Sequence, residues 1–347
     1  MGLAVIVHGG AGAIPAERYP AAREGCRAAA LAGWRALQQG GSALDAVQAA
    51  IIALEDNPGF NAGTGGVLNA SGQAELDAGL MDGAELAAGA VAGVQRIKNP
   101  IALARLVLAS PHVLLMGEGA EQFAEASGMA LCAPEDLITA AQRARWQRGY
   151  ALGDDVNVGS ANGTVADRVG TTLEVGAIAH EGEDAAARMD TTNGKSKRGT
   201  DISDQPVHAD GHKHGTVGAV AVDAQGNVAA GASTGGIGNK HPGRIGDTPI
   251  VGAGFCAENG LGGVSSTGRG EDFIRLLLAR RALDFIAAGD SAQAAATKAI
   301  QLLSRRVDGS GGLILLDAAG RVGYARNTTA MAHAYMVEGM GEPFAGV

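Results

Sequence analysis

The chain has few aromatic residues, few cysteines and no long apolar run. Aromatic residues make up 3% of its 347 residues, which favours a core built from small, closely packed side chains. The three cysteines, Cys26, Cys132 and Cys256, are far apart and odd in number, which argues against a disulfide framework and against a metal site. No apolar stretch approaches the roughly 20 residues that a membrane helix needs. Residues 1–7 lack the features of a signal peptide. We therefore expect a cytoplasmic protein that does not contact membranes.

The chain also lacks any run rich in lysine and arginine, and its formal net charge is −9. Such a balance argues against nucleic acid as a partner. Glycine, by contrast, is abundant: its 55 residues are about twice the usual share. There is no Gly-X-Y period, and a hydrophobic fraction of 46% is too high for a disordered chain. The glycines must therefore serve turns or close approaches of the backbone.

Apolar periodicity and turn signals predict a layered α/β (α+β) chain, with antiparallel sheets between helices. Three predicted type I turns carry Asn or Asp first and Gly fourth, and they begin at Asn69, Asp223 and Asp317. Apolar runs flank two of these turns and predict hairpins, which pair 217–222 with 228–232 and 313–316 with 322–325. A first strand is predicted over 3–7. The predicted helices cover 20–39, 42–54, 100–109, 119–127, 134–149, 270–288 and 292–305. Ser42 and Asp45 predict a capping box at the start of the second of these helices.

A polar stretch at about 180–213 has no apolar period and is predicted to be a long mobile linker. The dipeptide Gly215-Thr216 follows it and opens an apolar strand. Cleavage between these two residues would give Thr216 a free α-amine, with a reference pKa near 7.7–8.0, beside its own hydroxyl. Such an amine can act as a base near neutral pH. A Gly-Thr step alone, however, is also typical of an ordinary strand start.

Further motifs make this pattern specific. They are Ser-Thr-Gly-Gly at 233–236, Pro-Gly-Arg-Ile-Gly-Asp-Thr-Pro at 242–249, Thr-Gly-Arg-Gly-Glu at 267–271, His-Gly-Gly-Ala-Gly at 8–12 and Phe-Asn-Ala-Gly-Thr-Gly at 60–65. In this order they resemble the plant-type (type 2) asparaginase and isoaspartyl aminopeptidase family of N-terminal-nucleophile (Ntn) hydrolases. The resemblance covers nearly the whole chain except about 150–213. Gly-Thr steps at Thr164 and Thr171 are not followed by Ser-Thr-Gly-Gly at the matching distance, so Thr216 is the predicted nucleophile.

The resemblance implies a self-cleaving enzyme with an αββα four-layer sandwich of antiparallel sheets. Residues 1–347 would form one domain, cleaved into an alpha chain, 1–215, and a beta chain, 216–347. Two such pairs would assemble into a homodimer. Cleavage at Gly215–Thr216 would free the nucleophile, Thr234 would tune its hydroxyl, and Asn61 would support the nucleophile region.

The resemblance also implies how the substrate is held. Arg244 would pair with the substrate carboxylate and Asp247 with its α-ammonium group, while Gly270 contributes to the same binding site. The Thr267 hydroxyl and the Gly268 N–H would form the oxyanion hole. No cofactor is implied for catalysis. A structural sodium ion is implied on a backbone loop formed by Leu54, Glu55, Asn57, Phe60, Ala62 and Thr64.

The implied reaction is hydrolysis of the side-chain amide of L-asparagine and of β-aspartyl (isoaspartyl) dipeptides, through a β-aspartyl ester on Thr216. Two alternatives stay open: a glycosylasparaginase acting on sugar-linked asparagine, and an uncleaved, non-catalytic binding protein. Single residues also have plainer interpretations: Arg244 and Asp247 could form a surface ion pair, and Asn61 could be a turn residue. The residues 212–214 (His-Lys-His) are more typical of exposed histidines than of a metal site. His8 is predicted to be a turn or core residue.

Overall fold

The computed structural model describes residues 2–149 and 215–347, which belong to a single compact unit. The predicted linker at 180–213, the steps at Thr164 and Thr171, and the run 212–214 lie outside the described residues. Within the described ranges, no helix is both long enough and apolar enough to cross a membrane.

The described residues form two β-sheets. Their strands are β1 (Ala4–Gly12), β2 (Leu76–Asp82), β3 (Ala88–Val94), β4 (Leu114–Met116), β5 (Val217–Val222), β6 (Val228–Thr234), β7 (Phe255–Glu258), β8 (Gly262–Gly268), β9 (Gly311–Asp317), β10 (Val322–Arg326), β11 (Ala330–Val337) and β12 (Phe344–Gly346). The larger sheet has the order β12-β11-β1-β5-β6-β2-β3-β4, and the smaller sheet the order β10-β9-β8-β7.

Neighbouring strands are antiparallel throughout both sheets, except for the edge pair β3 and β4. That pair is parallel because a helix (Pro100–Leu108) connects the two strands, and a crossover of this kind returns the chain in the same direction. The prediction of antiparallel sheets therefore fails at this one edge.

Both predicted hairpins are confirmed. Strands β5 and β6 pair from Val217 opposite Ser233 to Val222 opposite Val228, and β9 pairs with β10. Each of the three predicted turns closes with a hydrogen bond from the glycine N–H to the carbonyl of the first residue. These bonds are Gly72 to Asn69 at 3.0 Å, Gly226 to Asp223 at 3.0 Å, and Gly320 to Asp317 at 2.9 Å. The first strand runs further than predicted, because the glycine-rich residues after Val7 continue the pairing with β11.

The described helices are α1 (Tyr19–Gln38), α2 (Ala43–Glu55), α3 (Pro100–Leu108), α4 (Gly117–Ala126), α5 (Ala140–Gln147), α6 (Gly270–Leu276), α7 (Leu278–Ala287) and α8 (Ala292–Val307), with short 3₁₀ turns at Ala16–Arg18 and Pro134–Leu137. The predicted capping box of α2 is present, since Ser42 and Asp45 each bond the other's backbone N–H.

Two predicted helices are broken in the structure. The helix predicted over 270–288 is two helices, because Leu277 between them adopts a left-handed conformation with φ of 50°. The helix predicted over 134–149 starts as a 3₁₀ turn, and Ile138 is then extended. Thr139 caps the start of α5 by accepting a hydrogen bond from the Gln142 N–H, and a capping residue of this kind requires non-helical backbone angles.

Helices cover each of the two sheets. Helices α1, α2 and α3 contact the larger sheet, α7 and α8 contact the smaller one, and the sheets contact each other through β1, β5 and β6 on one side and β7, β8 and β9 on the other. Strand β5 is buried on both faces. Val217, Ala219 and Ala221 join the core under α1 and α2, whereas Val220 and Val222 join the core shared by the two sheets, α7 and α8.

The two sheets are in close contact beside the start of β5. A Cβ atom at Gly218 would collide with Ser265 Oγ of β8 and would lie 2.5 Å from His8 Nε2 of β1. Only glycine fits here, and its lack of a side chain lets β1, β6 and β8 all approach β5 two residues after Thr216. The fold thereby places the start of β5 at a junction between both sheets.

Candidate active site

Thr216 lies directly before β5 and is 6% exposed. Its Oγ1 is hydrogen-bonded to Thr234 Oγ1 at 3.2 Å. Thr234 is the last residue of the neighbouring strand β6, and its Oγ1 also accepts a hydrogen bond from the Gly236 N–H at 3.0 Å. The strand pairing therefore fixes the two hydroxyls side by side, and the hydroxyl of Thr216 is held in one orientation.

Asn61 braces the residues around this pair. Its side-chain amide donates to the Gly236 carbonyl at 2.7 Å, and its Oδ1 accepts from the Val67 N–H at 2.8 Å. A Cβ atom at Gly215 would lie 2.5 Å from Asn61 Cβ, so the two residues are in close contact. Asn61 thus ties the turn after β6 to the backbone that precedes Thr216.

A small pocket opens at the Gly215–Thr216 bond. It is lined by six of the predicted site residues in addition to Gly215: Thr216, Thr234, Arg244, Asp247, Gly268 and Gly270. Thr267 is fully buried next to Gly268 in β8, and its Oγ1 accepts from the Ala11 N–H at 3.3 Å. Among the described residues that line this small pocket, Thr267 and Asn61 do not appear, although Thr267 directly precedes the lining residue Gly268.

Arg244 has a carboxylate partner that the sequence interpretation did not assign. Its guanidinium makes two hydrogen bonds of 3.0 Å to Glu271, from Nε to Oε1 and from Nη2 to Oε2. Although partial burial opposes the effect, Arg244 holds the pKa of the Glu271 carboxyl below its usual value. A bidentate pair of this type fixes the plane of the guanidinium. The one sequence signal for this role was the position of Glu271 at the end of the 267–271 motif.

Asp247 lies on the same wall with an unsatisfied carboxylate. It is 3% exposed, and its Oδ2 has no hydrogen-bond partner among the described residues. Burial raises the pKa of Asp247 to about 7; the nearby Arg244 lowers it and the Glu271 carboxylate raises it. A buried acceptor of this kind is costly unless a ligand supplies a donor. Its place beside Arg244 gives the pocket one anionic and one cationic group.

A cluster of buried charged residues, Lys240, Glu75 and Asp77, supports the loop between β6 and β7 that carries Arg244 (the Arg244 loop). Lys240 Nζ donates to the Glu75 carbonyl at 2.9 Å and lies 3.9 Å from the Glu75 carboxylate. Burial lowers the pKa of Lys240 and raises that of Asp77, whose Oδ1 accepts from the Gly93 N–H at 2.8 Å. Asp77 lies opposite Thr234 in the sheet. The cluster anchors the Arg244 loop to the larger sheet, and sequence reasoning assigned it no role.

His8 is a core residue, as predicted, and it is fully buried. Its Nε2 lies 3.1 Å from Ser265 Oγ, which donates to the Gly231 carbonyl at 2.9 Å. Burial lowers the pKa of His8 to about 3, against an opposing effect of the Thr216 backbone. The imidazole is therefore neutral near pH 7 and contributes packing and hydrogen bonding at the junction, with no charge.

The loop that follows α2, which is the predicted sodium loop, is closed by backbone hydrogen bonds. The Glu55 carbonyl accepts a hydrogen bond from the Thr64 N–H at 2.9 Å, and the Asn57 carbonyl accepts from the Phe60 N–H at 3.1 Å. Gly63 has a φ of 50°, and a Cβ atom there would lie 2.6 Å from the Glu55 oxygen. The described ranges contain no group of three or more His, Cys, Asp or Glu side chains that could hold a metal.

Comparison with known proteins gives a consistent assignment. A family model described as "Asparaginase" matches residues 1–343. The chain is 45% identical to the plant-type L-asparaginase of Pyrococcus abyssi over 349 aligned residues, which cover 99% of this chain and 100% of that protein. It is 41% identical to the isoaspartyl peptidase/L-asparaginase of Mus musculus, with 92% of this chain and 83% of that protein covered. The corresponding protein of Danio rerio is 40% identical, with coverage of 91% and 86%.

Proposed function

Because the chain belongs to the asparaginase family, we propose that it hydrolyses the side-chain amide of L-asparagine and the isopeptide bond of β-aspartyl dipeptides. The names of its relatives include both L-asparaginase and isoaspartyl peptidase. One observation carries the proposal. The Thr216 hydroxyl, paired at 3.2 Å with Thr234, lies in the pocket that also contains Arg244 and the buried carboxylate of Asp247.

We propose that Thr216 is freed by self-cleavage. Its Oγ1 attacks the carbonyl carbon of Gly215, the C–N bond breaks, and the α-amine of Thr216 is released as an ester forms. Water then hydrolyses this ester and leaves a carboxylate on Gly215. The contact with Asn61 supports the step, because it restrains Gly215 beside the hydroxyl that must attack it. The products are an alpha chain, 1–215, and a beta chain, 216–347.

Turnover uses the groups that cleavage exposes. The α-amine of Thr216 removes the proton from Oγ1, which attacks the side-chain carbonyl carbon of the substrate. The Gly268 N–H and the Thr267 hydroxyl stabilise the oxyanion. The intermediate then collapses, the C–N bond breaks, and the leaving nitrogen takes the proton from the α-amine. Water hydrolyses the β-aspartyl ester to release aspartate.

Charge complementarity selects the aspartyl part of the substrate. Arg244 pairs with the α-carboxylate while Glu271 holds its guanidinium in plane. Asp247 Oδ2, which has no partner among the described residues, accepts from the α-ammonium group. Gly270 lets the start of α6 approach the loop that carries Arg244 and Asp247, because a Cβ atom there would lie 2.8 Å from Gly246 Cα and 2.9 Å from the Asp247 nitrogen.

We also propose how the sheets and helices are layered and how the cleaved chains assemble. The contacts of α1–α3 with the larger sheet, of α7 and α8 with the smaller one, and of the sheets with each other support a four-layer αββα sandwich built as one domain. Two cleaved alpha-beta pairs would form a homodimer. Backbone carbonyls of the loop after α2 would hold a structural sodium ion. Three free cysteines support a reducing compartment such as the cytoplasm.

Steady-state hydrolysis of L-asparagine and of β-aspartylglycine by the purified protein tests the proposal. We expect wild-type activity on both, none for Thr216→Ala, and wild-type rates for the control Thr297→Ala, which removes an exposed hydroxyl of α8. Activity that survives in Thr216→Ala would refute the nucleophile assignment. Turnover of sugar-linked asparagine with none of asparagine would favour the glycosylasparaginase alternative. No cleavage and no activity in the wild type would favour the binding protein.

A further inference from the structure

A second, larger cavity lies on the other side of Gly215. Its volume is about 430 Å³, and its walls come from the end of β1, the start of α1, the loop after α2 and helix α5. Gly215 and Asn61 are part of its wall, and Gly215 also lines the small pocket that contains Thr216. Gly215 thus separates two cavities.

The larger cavity is basic, although the chain as a whole carries a net charge of −9. Three arginines line it, Arg18, Arg145 and Arg148, and no Asp or Glu side chain does so among the described residues. Arg18 Nη2 donates to the Gly59 carbonyl at 2.7 Å, which holds one guanidinium against the wall. A cavity of this charge favours an anionic ligand.

The proposed reaction fixes where the leaving group must lie. The α-amine of Thr216 forms at the position of the bond to Gly215, and this amine must pass its proton to the leaving nitrogen. The leaving nitrogen therefore faces Gly215 and the larger cavity behind it, while the aspartyl part contacts Arg244 and Asp247 in the small pocket. When asparagine is the substrate, the leaving group is ammonia and no part of the substrate occupies that cavity. When a β-aspartyl dipeptide is the substrate, the leaving group is an amino acid with its own carboxylate.

From this juxtaposition we infer that the arginine-lined cavity is the leaving-group subsite and selects β-aspartyl dipeptides with a free C-terminal carboxylate. The inference rests on the proposed function. It assigns Arg18 and Arg148 to specificity, and it gives the chemical class of the preferred substrate as an isoaspartyl dipeptide with a free carboxylate. It also predicts that hydrolysis of asparagine does not depend on these two arginines.

The test compares three substrates that share one aspartyl group: L-asparagine, β-aspartylglycine and β-aspartylglycinamide. The last two differ only in the charge of the leaving group. For the cleaved wild-type enzyme we expect kcat/KM for the glycine substrate to exceed that for the glycinamide substrate on the order of tenfold at low ionic strength. The ratio should shrink as salt is added.

The double variant Arg18→Gln/Arg148→Gln should bring this ratio close to one and leave kcat/KM for asparagine within about twofold of wild type. The control Arg305→Gln/Arg306→Gln removes the same charge from the exposed end of α8, and it should keep the wild-type ratio. Because Arg18 bonds the loop after α2, Arg148→Gln alone is a second variant, and it should lower the ratio in part.

A wild-type ratio near one would overturn the inference, as would an unchanged ratio in both Arg148 variants. A variant that loses asparagine and dipeptide hydrolysis together would also contradict it, because the arginines would then support the whole site. Failure of the proposed function would look different, since the wild type would hydrolyse none of the three substrates.

Discussion

The carboxyl of Asp247 couples substrate binding to pH. Burial raises its pKa to about 7, from an ordinary value of 3.8. If its carboxylate binds the substrate ammonium, only the ionised fraction is competent, which is about one tenth at pH 6 and about nine tenths at pH 8. Asp247 alone therefore predicts a fall of about tenfold in kcat/KM for asparagine between pH 8 and pH 6.

The α-amine of Thr216 adds a second titration, since its reference pKa is near 7.7–8.0 and only the neutral amine can act as a base. Below both values, log kcat/KM should fall with a limiting slope of about two per pH unit. Asp247→Asn should have lower activity at pH 8 and a limiting slope of about one, because only the amine still titrates. Initial rates at low substrate concentration between pH 5 and pH 8 measure both slopes. A wild-type slope of one, or a slope of two retained in Asp247→Asn, would refute the reasoning.

The same pKa shift predicts an effect on stability of the opposite sign. Between about pH 3.8 and 7 the folded protein keeps a proton on Asp247 that the unfolded chain has lost, so ionisation makes the free energy of unfolding fall as pH rises. A shift from 3.8 to about 7 corresponds to a cost on the order of 4 kcal/mol above pH 7. Asp247→Asn should thus unfold at higher denaturant concentration than wild type at pH 8, and this gain should disappear near pH 4.

Other residues around the site give three further predictions. Glu271→Gln should raise KM for asparagine, since Arg244 loses its ionic partner, and should lower the Asp247 midpoint in the pH–rate profile, because the Glu271 carboxylate raises that pKa. Glu55→Gln should raise the free energy of unfolding above that of wild type by more at pH 8 than at pH 5, because burial raises the pKa of Glu55 to about 8. Denaturant unfolding at the two pH values measures this gain, and an equal gain at both would contradict the prediction. Thr234→Val should keep the fold and lower the single-turnover rate constant at least about tenfold, because the Thr216 hydroxyl loses its hydrogen-bond partner at 3.2 Å.

Local signals predicted the hairpins, the turns and most helices, because these features depend on residues close together in sequence. The turn at Asp223 and the capping box at Ser42 are examples. The break at Leu277 was missed, because a leucine side chain gives no local signal for a left-handed backbone. The parallel pairing of β4 was missed because that strand has only three residues, and pattern arguments need longer runs.

The candidate site was predicted through motifs, and its supporting residues were not. Motif order nominated Thr216, Thr234, Arg244 and Asp247, which the fold brings to one pocket. The pairing of Arg244 with Glu271 and the burial of Lys240 against Glu75 depend on contacts between residues 27 and 165 positions apart, which no local pattern encodes. The same holds for the arginine-lined cavity, since Arg18, in the 3₁₀ turn before α1, and Arg148, directly after α5, are far apart in sequence.

Intact-mass spectrometry of the purified, denatured protein tests whether Thr216 becomes an N-terminal nucleophile. We expect two masses, those of residues 1–215 and 216–347, and a gain of one aspartyl group on the second chain when the reaction with asparagine is quenched during turnover. Thr216→Ala should show a single uncleaved mass. A wild-type protein that stays one 347-residue chain, or whose second chain begins at any residue other than Thr216, would contradict the assignment of Thr216 as an N-terminal nucleophile.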